Sequence, residues 1–405
     1  MSKKGENISI TLIGLSNAEN QEWPDDIKRV ITSHSTFSGG DRHLERVQHM
    51  LPEKFEWIPI KGKMELVTNA YHEVNNNKIV VFASGDPFFF GFGNTLKRLL
   101  PNATIKPYPY FNSLQRLAHK TQLNYSHLHT ISLHGRPWDE LDEALISDQA
   151  LIGILTDQKH GPKEIAERLL EYGYSNYEVI IGEELDGEKE KVTAFNLQDA
   201  SNYDALPLNC LILRQVFQND RPMSFPDRSY RTLKGRPNMI TKQFIRAITL
   251  PGLQLHQANC FWDIGACTGS IAIEAKRNFP RVKTYAFEKR EECRAIIADN
   301  MRSHQTPGII PVIGDFFDQN LTTYDSPQAV FIGGHGGRLR ELIEKINNYL
   351  DERGILVMNT VLESSYIDFI ACTKELNYDL ISADKVSINE HNPINVLVAQ
   401  KTIQS

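Results

Sequence analysis

Two carboxylates flank a turn of small residues in the second half of the chain, at the stretch "CFWDIGACTGSIAIEAKRN". Asp263 ends an apolar run, and a turn with glycines on both sides of Cys267 leads from it into an amphipathic segment. Glu288 ends the next apolar run. An acid at the end of a second strand accepts hydrogen bonds from a ribose diol, whereas an acid before the turn favours a positively charged group. The spacing therefore indicates a pocket for a cationic nucleoside.

This pocket has alternative interpretations. A dinucleotide fold also has a glycine turn and a ribose acid, but its fingerprint is GxGxxG and its turn holds a pyrophosphate. Here the pattern is D-x-G-x-C-x-G, and the charge of Asp263 would repel a pyrophosphate. Taken singly, Asp263 is explained as a helix cap and Glu288 as a solvated strand end. Together with a predicted hairpin near residue 390, the two acids favour S-adenosylmethionine, and Asp315 ends a third strand pattern beside a possible adenine.

Strand and helix patterns alternate through the second half, which places these acids at strand ends. Strand patterns include "NCFWDIG", "KTYAFEK", "IIPVIGD", "QAVFIGG" and "GILVMNT", with helical patterns between them. Such alternation predicts a parallel α/β sheet covered on both faces, with ligands at the carboxyl ends of its strands. The last two patterns, "YDLISADKVS" and "INVLVAQK", are joined by the polar turn "INEHNP" and predict an antiparallel hairpin at the edge of a seven-stranded sheet.

The first half is also α/β but shares no motif spacing with the second. Its stretch "VVFASGDPFFFGFG" is a buried strand that ends in a turn. There Gly85, Asp86 and Pro87 would present backbone amides and a carboxylate to a cleft. An ordinary strand-to-helix turn, with Asp86 as the helix cap, explains the same residues.

Length and composition predict a globular protein of two or three domains. The chain has 405 residues, of which 41% are hydrophobic and 23% are charged. A segment rich in Pro, Arg, Asp and Ser separates its halves. It predicts a first domain at 8–214, a linker at 215–229 and a second domain at 230–405.

Charge and cysteine usage exclude several classes of protein. Residues 1–214 contain 22 Lys/Arg and 29 Asp/Glu, and residues 215–405 contain 22 and 21, so neither half has the basic excess of a nucleic-acid binder. The five cysteines form no CxxC pair, which argues against disulfides or a metal site and indicates a reducing compartment. No apolar run approaches the roughly 18 residues of a membrane span. We therefore expect a cytoplasmic protein without a membrane or nucleic-acid partner.

The second half resembles the decarboxylating methyltransferase domain of cobalamin biosynthesis. The resemblance is carried by "GRPNMITKQFIRAIT", "WDIGACTGSIAIEA", "AVFIGGHGG" and "GILVMNTVLES", which span most of 230–405. It implies a Rossmann-like class I methyltransferase fold. It also implies that S-adenosylmethionine is bound at positions equivalent to Thr241, Gly265, Ala266, Cys267, Thr268, Gly269, Glu288, Asp315 and Phe316. The departures from the family pattern are Cys267, where glycine is usual, and His335 in the "GGHGG" loop.

The first half resembles the tetrapyrrole methylases, over roughly 8–212. The matching text is "ITLIGL", "ASGDPFFFG", "YPYFNSLQRLAHK", "ISLHGRP" and "ILTDQKHGPKEIAERLLEYG". This resemblance implies two small α/β subdomains with S-adenosylmethionine between them. The family's first turn is usually rich in glycine and proline, whereas this chain reads Gly14-Leu15-Ser16-Asn17-Ala18.

In this order the halves resemble the precorrin-6Y C(5,15)-methyltransferases (decarboxylating) as a family. The resemblance implies methylation of a precorrin at meso carbon 5 by the first domain. It implies methylation of meso carbon 15 and decarboxylation of an acetate side chain by the second. A homo-oligomer is the expected assembly. Two rival classes stay open: a non-catalytic or single-site module with one degenerate domain, and a nucleic-acid methyltransferase, although no NPPY-type motif follows the fourth strand.

The chemistry requires few special side chains, because the sulfonium methyl is already activated and the ring supplies the carbon nucleophile. Proximity of this kind contributes about 7–11 kcal/mol. Precorrins carry many carboxylates, so the cluster of Arg228, Arg231, Lys234 and Arg236 is a candidate clamp, with a solvated basic linker as the alternative. His335 is a candidate proton donor, with an ordinary loop histidine as the alternative. We expect Cys267 to adopt negative φ, because its Cβ disfavours the conformations that glycine allows.

Overall fold

The computed structural model describes residues 7–18, 21–388 and 393–403. The chain divides into two compact units that are not continuous in sequence. The first unit consists of Met1–Arg136, Ala150–Ala166 and Tyr177–Gln215, and the second unit consists of Pro137–Gln149, Glu167–Asn176 and Val216–Ser405.

In its described part, the first unit contains two five-stranded sheets. Their strands are β1 Ser9–Leu15, β2 Thr36–Gly39, β3 Glu56–Pro59, β4 Lys78–Ser84, β5 Thr104–Tyr108, β6 His129–Ser132, β7 Leu151–Leu155, β8 Tyr177–Glu183, β9 Lys191–Asn196 and β10 Asn209–Gln215. The first sheet has the order β3-β2-β4-β1-β5 and is parallel throughout. The second has the order β6-β7-β10-β8-β9, and its β6–β7 pair is parallel while its other pairs are antiparallel.

The second unit is built on one seven-stranded sheet in the part of the chain that the structure describes. Its strands are β11 Cys260–Ile264, β12 Lys283–Glu288, β13 Ile309–Ile313, β14 Ala329–Ile332, β15 Ile355–Thr360, β16 Tyr378–Val386 and β17 Ile394–Lys401. The order is β13-β12-β11-β14-β15-β17-β16. The first five strands are parallel, and β17 is antiparallel to both of its neighbours.

The predicted edge hairpin is confirmed, with β16 as the outer strand and β17 inserted between β15 and β16. Along β16 only Tyr378 is buried, as expected for a strand with one paired edge. Most of the predicted polar turn "INEHNP" lies outside the described residues.

The helices connect these strands and cover the sheets. They are α1 Asp25–Thr32, α2 Asp41–Val47, α3 Met64–His72, α4 Phe92–Leu99, α5 Ser113–Lys120, α6 Asp139–Ile146, α7 Pro162–Glu171, α8 Leu197–Ala200, α9 Gln243–Gly252, α10 Ser270–Asn278, α11 Glu292–Ser303, α12 Leu339–Asn347 and α13 Glu363–Glu375. Within the described residues, no helix is both long enough and apolar enough to cross a membrane.

The seven-stranded sheet is buried on both faces because its central strands are continuously apolar. Neighbouring side chains of β11 point to opposite faces, so Trp262 joins one core cluster and Phe261 joins the other. The order β13-β12-β11 then brings the carboxyl ends of three strands to the same edge. Glu288 ends β12, and Asp315 follows β13 by two residues. This topology positions the three predicted acids side by side.

A buried ion pair holds residues 224–227 against the helices of the second unit. Arg246 on α9 is fully buried, and its Nε donates to Glu274 Oε1 on α10 at 2.8 Å. Its Nη1 donates to Asp227 Oδ1 at 2.9 Å. The N–H of Phe225 donates to Glu274 Oε1 at 2.9 Å, and Ser224 Oγ lies 3.0 Å from both carboxylate oxygens of Glu274. These contacts fix residues 224–227 against α9 and α10.

Candidate functional site

A cavity of about 1080 Å³ opens at the carboxyl ends of β11, β12 and β13. Most of the residues predicted from the second half line this single cavity: Thr241, Asp263, Gly265, Ala266, Cys267, Thr268, Glu288, Asp315, Phe316 and His335. Gly269 caps the N-terminus of α10 with φ at 72°. Arg290, Arg338 and Asn359 also line the cavity and were not predicted, because nothing in their local sequence distinguishes them from surface or strand residues.

Asp263 contributes an oxygen atom without a partner to the wall of this cavity. Its side chain is buried, and its Oδ2 accepts the N–H of Ala272 at 3.1 Å. Its Oδ1 is buried with no hydrogen-bond partner. Burial, with a smaller contribution from the negative charge of Glu288, raises the pKa of Asp263 to about 7. A buried carboxylate oxygen without a partner favours a positively charged neighbour, and that Asp263 meets a cationic group stays a prediction.

Glu288 is held rigidly at the end of β12. It is 3% exposed, and its Oε2 accepts the N–H of Cys267 at 2.9 Å. Its Oε1 accepts the backbone N–H of Arg290 at 2.9 Å and the Nη1 of the same residue at 3.0 Å. Each carboxylate oxygen can accept further hydrogen bonds, so Glu288 has capacity for a hydroxyl pair in the cavity.

Gly265 is the point where the turn after β11 passes closest to another loop. Its φ is +77°, and a Cβ at this position would lie 2.7 Å from the backbone N of Gly334. A side chain would therefore push the "GGHGG" loop away from the turn. The close approach of two backbones forms the floor of the cavity.

The expectation of negative φ at Cys267 is wrong, because the structure gives it φ of +50°. The turn requires a left-handed residue here, at a cost of about 1–2 kcal/mol for a residue with a Cβ. Three contacts of Cys267 offset this cost. Its N–H donates to Glu288, its Sγ lies 3.4 Å from Met239 O, and its side chain packs against Leu233, Cys293 and Ile296. Tertiary contacts thus select the conformation that the isolated residue disfavours.

The thiol of Cys267 is not set up as a nucleophile. Burial raises its pKa, and the negative charge of Glu288 raises it further. This agrees with the sequence, which supplies no adjacent base.

The strain at Cys267 leads to a comparison of two variants. We expect Cys267→Gly to be more stable than Cys267→Ala by about 1 kcal/mol, because both lose the thiol but only glycine relieves the left-handed strain. The measurement is the free energy of unfolding of the second unit in urea. Equal stability of the two variants would show that Cys267 is not strained.

Asp315 and Phe316 follow β13 with different surroundings. Asp315 Oδ1 accepts the N–H of Phe317 at 3.0 Å, and its Oδ2 pairs with Lys289 Nζ at 2.8 Å. The hydrogen bond from Lys289 lowers the pKa of Asp315. Phe316 is 7% exposed and packs edge-on against Trp262 and Phe287. Asp315 is thus the polar group at this end of the cavity, and Phe316 supplies apolar wall.

His335 lies in the cavity wall as a neutral side chain. Its Nδ1 accepts the N–H of Gly337 at 3.2 Å, so the ring hydrogen is assigned to Nε2, which lies 3.2 Å from Ser365 Oγ. Burial lowers the pKa of His335, against the opposing charge of Asp368. A neutral imidazole with both nitrogens engaged is a weak proton donor.

The predicted basic residues line a neighbouring cavity of about 600 Å³. Arg231, Lys234 and Arg236 contribute to it together with Arg290, and both Arg236 and Arg290 also line the larger cavity. Arg231 forms an ion pair with Asp299. The shared arginines make a continuous basic surface from one cavity to the other.

The first unit has its own cavity, of about 540 Å³. Gly85 and Asp86 line it, and Asp86 Oδ1 accepts the N–H of Phe88 at 2.9 Å. Pro87 lies in the same turn, where its carbonyl accepts the N–H of Gly93 at 2.9 Å. The predicted cleft therefore exists, and Asp86 stabilises the turn beside it.

The first turn of this unit is supported by distant acids in place of glycines. Ser16 and Asn17 line the cavity, where Ser16 Oγ donates to Asp186 Oδ2 at 3.2 Å and Asn17 Nδ2 donates to Glu184 Oε2 at 3.3 Å. Asp186 also forms an ion pair with Arg116. Sequence reasoning missed these partners, because they lie more than 100 residues beyond the turn.

A second group that the sequence did not reveal is the pair of His43 and Ser84. His43 Nε2 lies 3.0 Å from Ser84 Oγ, and its Nδ1 accepts the N–H of Gly40 at 3.2 Å. Burial, with a smaller contribution from the positive charge of Arg42, lowers the pKa of His43 to about 4. The imidazole is therefore neutral and donates to the hydroxyl, so it does not activate Ser84 as a nucleophile.

Comparisons with known proteins agree with the two-part organisation. Residues 30–201 match the family of tetrapyrrole (corrin/porphyrin) methylases, and residues 235–402 match the precorrin methyltransferase domain. A precorrin-6Y C(5,15)-methyltransferase (decarboxylating) from Sinorhizobium is 31% identical over 359 residues, which are 87% of this chain and 84% of that protein. This chain belongs to the precorrin-6Y C(5,15)-methyltransferase family.

Two shorter relatives of this family member come from Salmonella typhimurium. A cobalt-precorrin-6B C(15)-methyltransferase (decarboxylating) is 29% identical over 42% of this chain and 93% of its own length. A cobalt-precorrin-7 C(5)-methyltransferase is 25% identical over 45% of this chain and 88% of its own length. The two shorter proteins are named separately for C(15) and C(5) methylation, and the name of the Sinorhizobium relative contains both positions.

Proposed function

We propose that the protein methylates a precorrin at meso carbons 5 and 15 and removes carbon dioxide from an acetate side chain. The names of the family members support this activity. In this proposal domain 8–214 acts on carbon 5, domain 230–405 acts on carbon 15 and the acetate, and 215–229 links them. S-adenosylmethionine is the proposed methyl donor for both.

The observation that carries the proposal is the unpartnered Oδ1 of Asp263 beside the rigid carboxylate of Glu288. S-adenosylmethionine combines an ammonium and a sulfonium with a ribose diol. Asp263 would face the positive charge, and Glu288 would accept from the diol hydroxyls. Asp315 and the apolar wall at Phe316, which line the same cavity, would hold the adenine. The cavity of about 1080 Å³ is at the upper end of the range for small-molecule pockets.

When bound, S-adenosylmethionine supplies an activated methyl group. The residues of the chain then have to orient the reactants and exclude water. The rigid turn at Gly265 and the buried Glu288 provide orientation, since both are fixed by backbone hydrogen bonds or close packing. Decarboxylation releases electrons into the conjugated ring of the substrate, so no strong base is required. His335, being neutral, is assigned to the wall of the site and not to proton transfer.

The basic surface shared by the two cavities is the proposed contact for the substrate carboxylates. Arg236 and Arg290 reach the larger cavity, and Arg231 and Lys234 extend the surface away from it. Guanidinium groups form bidentate hydrogen bonds with carboxylates, which suits a ring that carries several carboxylates. Arg228 lies on the short turn Asp227–Ser229 and is left out of this surface.

The test is calorimetric titration of S-adenosylmethionine into the full chain and into Glu288→Gln. The full chain should bind two equivalents, one per proposed domain. Glu288→Gln should weaken one site by about tenfold to a hundredfold, because a neutral amide is a poorer acceptor for two hydroxyls, and leave the other unchanged. A matched control is Glu291→Gln, which changes an exposed glutamate three residues further along.

Each outcome assigns the protein to a different class. Two sites, one sensitive to Glu288, support the double methyltransferase. A single site that Glu288→Gln weakens would mean that the first domain does not bind the donor and that the chain has a single-site activity. No binding at all would refute S-adenosylmethionine as the donor.

A further inference from the structure

Two cysteines and a glutamate meet behind the turn that follows β11. The Sγ atoms of Cys267 and Cys293 and a carboxylate oxygen of Glu288 all lie within 4.8 Å of one another. Cys293 is fully buried in the first turn of α11, whereas Cys267 and Glu288 line the larger cavity. The two thiols are thus reached from the cavity through Cys267.

We propose that this group is a binding site for one divalent, thiophilic metal ion of the zinc type. In a tetrahedral zinc site with sulfur bonds near 2.3 Å and oxygen bonds near 2.1 Å, ligand atoms are about 3.5–3.8 Å apart. The observed spread of up to 4.8 Å is close to this arrangement. Three protein ligands leave a fourth position of a tetrahedral ion for water or another ligand.

The identity of the ligands selects the metal. Thiolate sulfur favours zinc and its chemical relatives, whereas magnesium and calcium require sets of oxygen ligands. Binding would release the two thiol protons to solvent, so the ligands would carry three negative charges. The Nη1 of Arg290 lies 3.0 Å from Glu288 Oε1 and returns one positive charge. A divalent ion therefore leaves the cluster neutral, which a monovalent ion does not.

The outer contacts of the site hold its ligands in place. Glu288 is oriented by the backbone N–H groups of Cys267 and Arg290, each at 2.9 Å, and both bonds persist when the thiols lose their protons. The apolar residues Leu233 and Ile296 pack around Cys293 and exclude water from its side of the site. Metal sites depend on such supporting contacts for affinity.

A metal ion at this position would compete with the proposed methyl donor. Glu288 is the proposed acceptor for the ribose diol, and an oxygen bound to the ion is no longer available to the hydroxyls. This consequence rests on the proposed function, whereas the metal site itself does not. The sequence did not reveal the site, because its ligands come from a turn, a strand end and a helix, and no short motif contains two of them.

The first measurement is titration of the reduced full chain with Co²⁺, whose thiolate complexes absorb in the near ultraviolet. The absorbance should saturate at one equivalent, and excess Mg²⁺ should not reduce it. Cys267→Ala and Cys293→Ser should each lose the band. Cys372→Ser is the matched control, since Cys372 is also buried but lies on α13, and it should keep the band. Circular dichroism verifies that each variant is folded.

The outcomes of this titration are decisive. A thiolate band that persists in folded Cys267→Ala, or that disappears in folded Cys372→Ser, would overturn the assignment. Absence of a band in the unmodified chain at several equivalents of Co²⁺ would overturn it as well.

The second measurement is the affinity for S-adenosylmethionine with and without one equivalent of Zn²⁺. Zinc should weaken one site of the unmodified chain at least tenfold and should leave the affinity of Cys293→Ser unchanged. Unchanged affinity in the unmodified chain would refute the competition. If the donor fails to bind even without zinc, the proposed function fails, and the cobalt titration still decides the metal site.

Discussion

Replacement of Arg246 by alanine should lower the free energy of unfolding of the second unit by about 3–5 kcal/mol. Arg246 is fully buried and pairs with Glu274 at 2.8 Å and with Asp227 at 2.9 Å. Its removal leaves the carboxylate of Glu274 buried without its charge partner. It also leaves a void against the ring of Tyr230, because the guanidinium packs on that ring at 4.9 Å from its centroid. The measurement is urea unfolding monitored by hydrogen exchange of peptides from β11 and β14.

Two controls separate the buried charge from other effects. Arg294→Ala removes an exposed ion pair on α11 and should leave the free energy of unfolding nearly unchanged. The double variant Arg246→Met/Glu274→Met should recover most of the loss, because an apolar pair leaves no charge without a partner. A cost below about 1 kcal/mol for Arg246→Ala would show that water reaches Glu274 and that the pair is not buried in solution.

The same variant should also affect the larger cavity. Besides the two acids, Arg246 donates to the backbone carbonyls of Thr241 and Phe225. Thr241 lines the cavity, so the ion pair fixes one of its walls. We therefore interpret Arg246 as a positioning residue of the site. From the sequence, Arg246 was only one residue of a helical pattern.

The sequence was sufficient to predict the parts of the site that follow from strand order. In a parallel sheet every carboxyl end lies at one edge, so Asp263, Glu288 and Asp315 had to lie near one another if β11, β12 and β13 were neighbours. The alternation of strand and helix patterns predicted the parallel sheet, and the structure supplies the order β13-β12-β11. The local pattern also predicted the antiparallel hairpin of β16 and β17, since a short polar turn joins antiparallel strands.

Features set by long-range contacts were not predictable in the same way. The left-handed conformation of Cys267 depends on Glu288, which is 21 residues away, and on the packing of Leu233. The supports of Ser16 and Asn17 come from Asp186 and Glu184, in the loop that follows β8. A single sequence shows which residues favour a turn, but it does not show which distant side chains stabilise an unfavourable one.

The pH dependence of donor binding should depend on Asp263. Its pKa is about 7 in the ligand-free chain, because the carboxyl is buried and close to Glu288. A cation beside Oδ1 favours the ionised form, so binding below pH 7 requires loss of a proton. Affinity at the second-domain site should therefore fall roughly 50-fold from pH 7 to pH 5, approaching tenfold per pH unit. Calorimetric titration at several pH values measures this.

Stability of the ligand-free second unit should depend on pH with the opposite sign. The folded pKa of Asp263 is raised above its ordinary value of 3.8, so the folded state binds the proton more tightly than the unfolded state. Between about pH 4 and pH 7 the unit should lose stability as pH rises, by as much as about 4 kcal/mol from this group alone. Asp263→Asn should remove that contribution and be the more stable protein at pH 8.

The two pH effects share one cause, and Asp263→Asn tests both. The amide oxygen of asparagine still accepts the N–H of Ala272, so the start of α10 is preserved while the titrating group is lost. His43, His304 and His335 also titrate, but their contributions are present in both proteins and cancel in the comparison. If the variant retains the fall in affinity from pH 7 to pH 5, another group controls it. If it lacks the fall but binds weakly at pH 7, the buried carboxylate of Asp263 is the part of the site that selects a cationic donor, at the cost of stability in its absence.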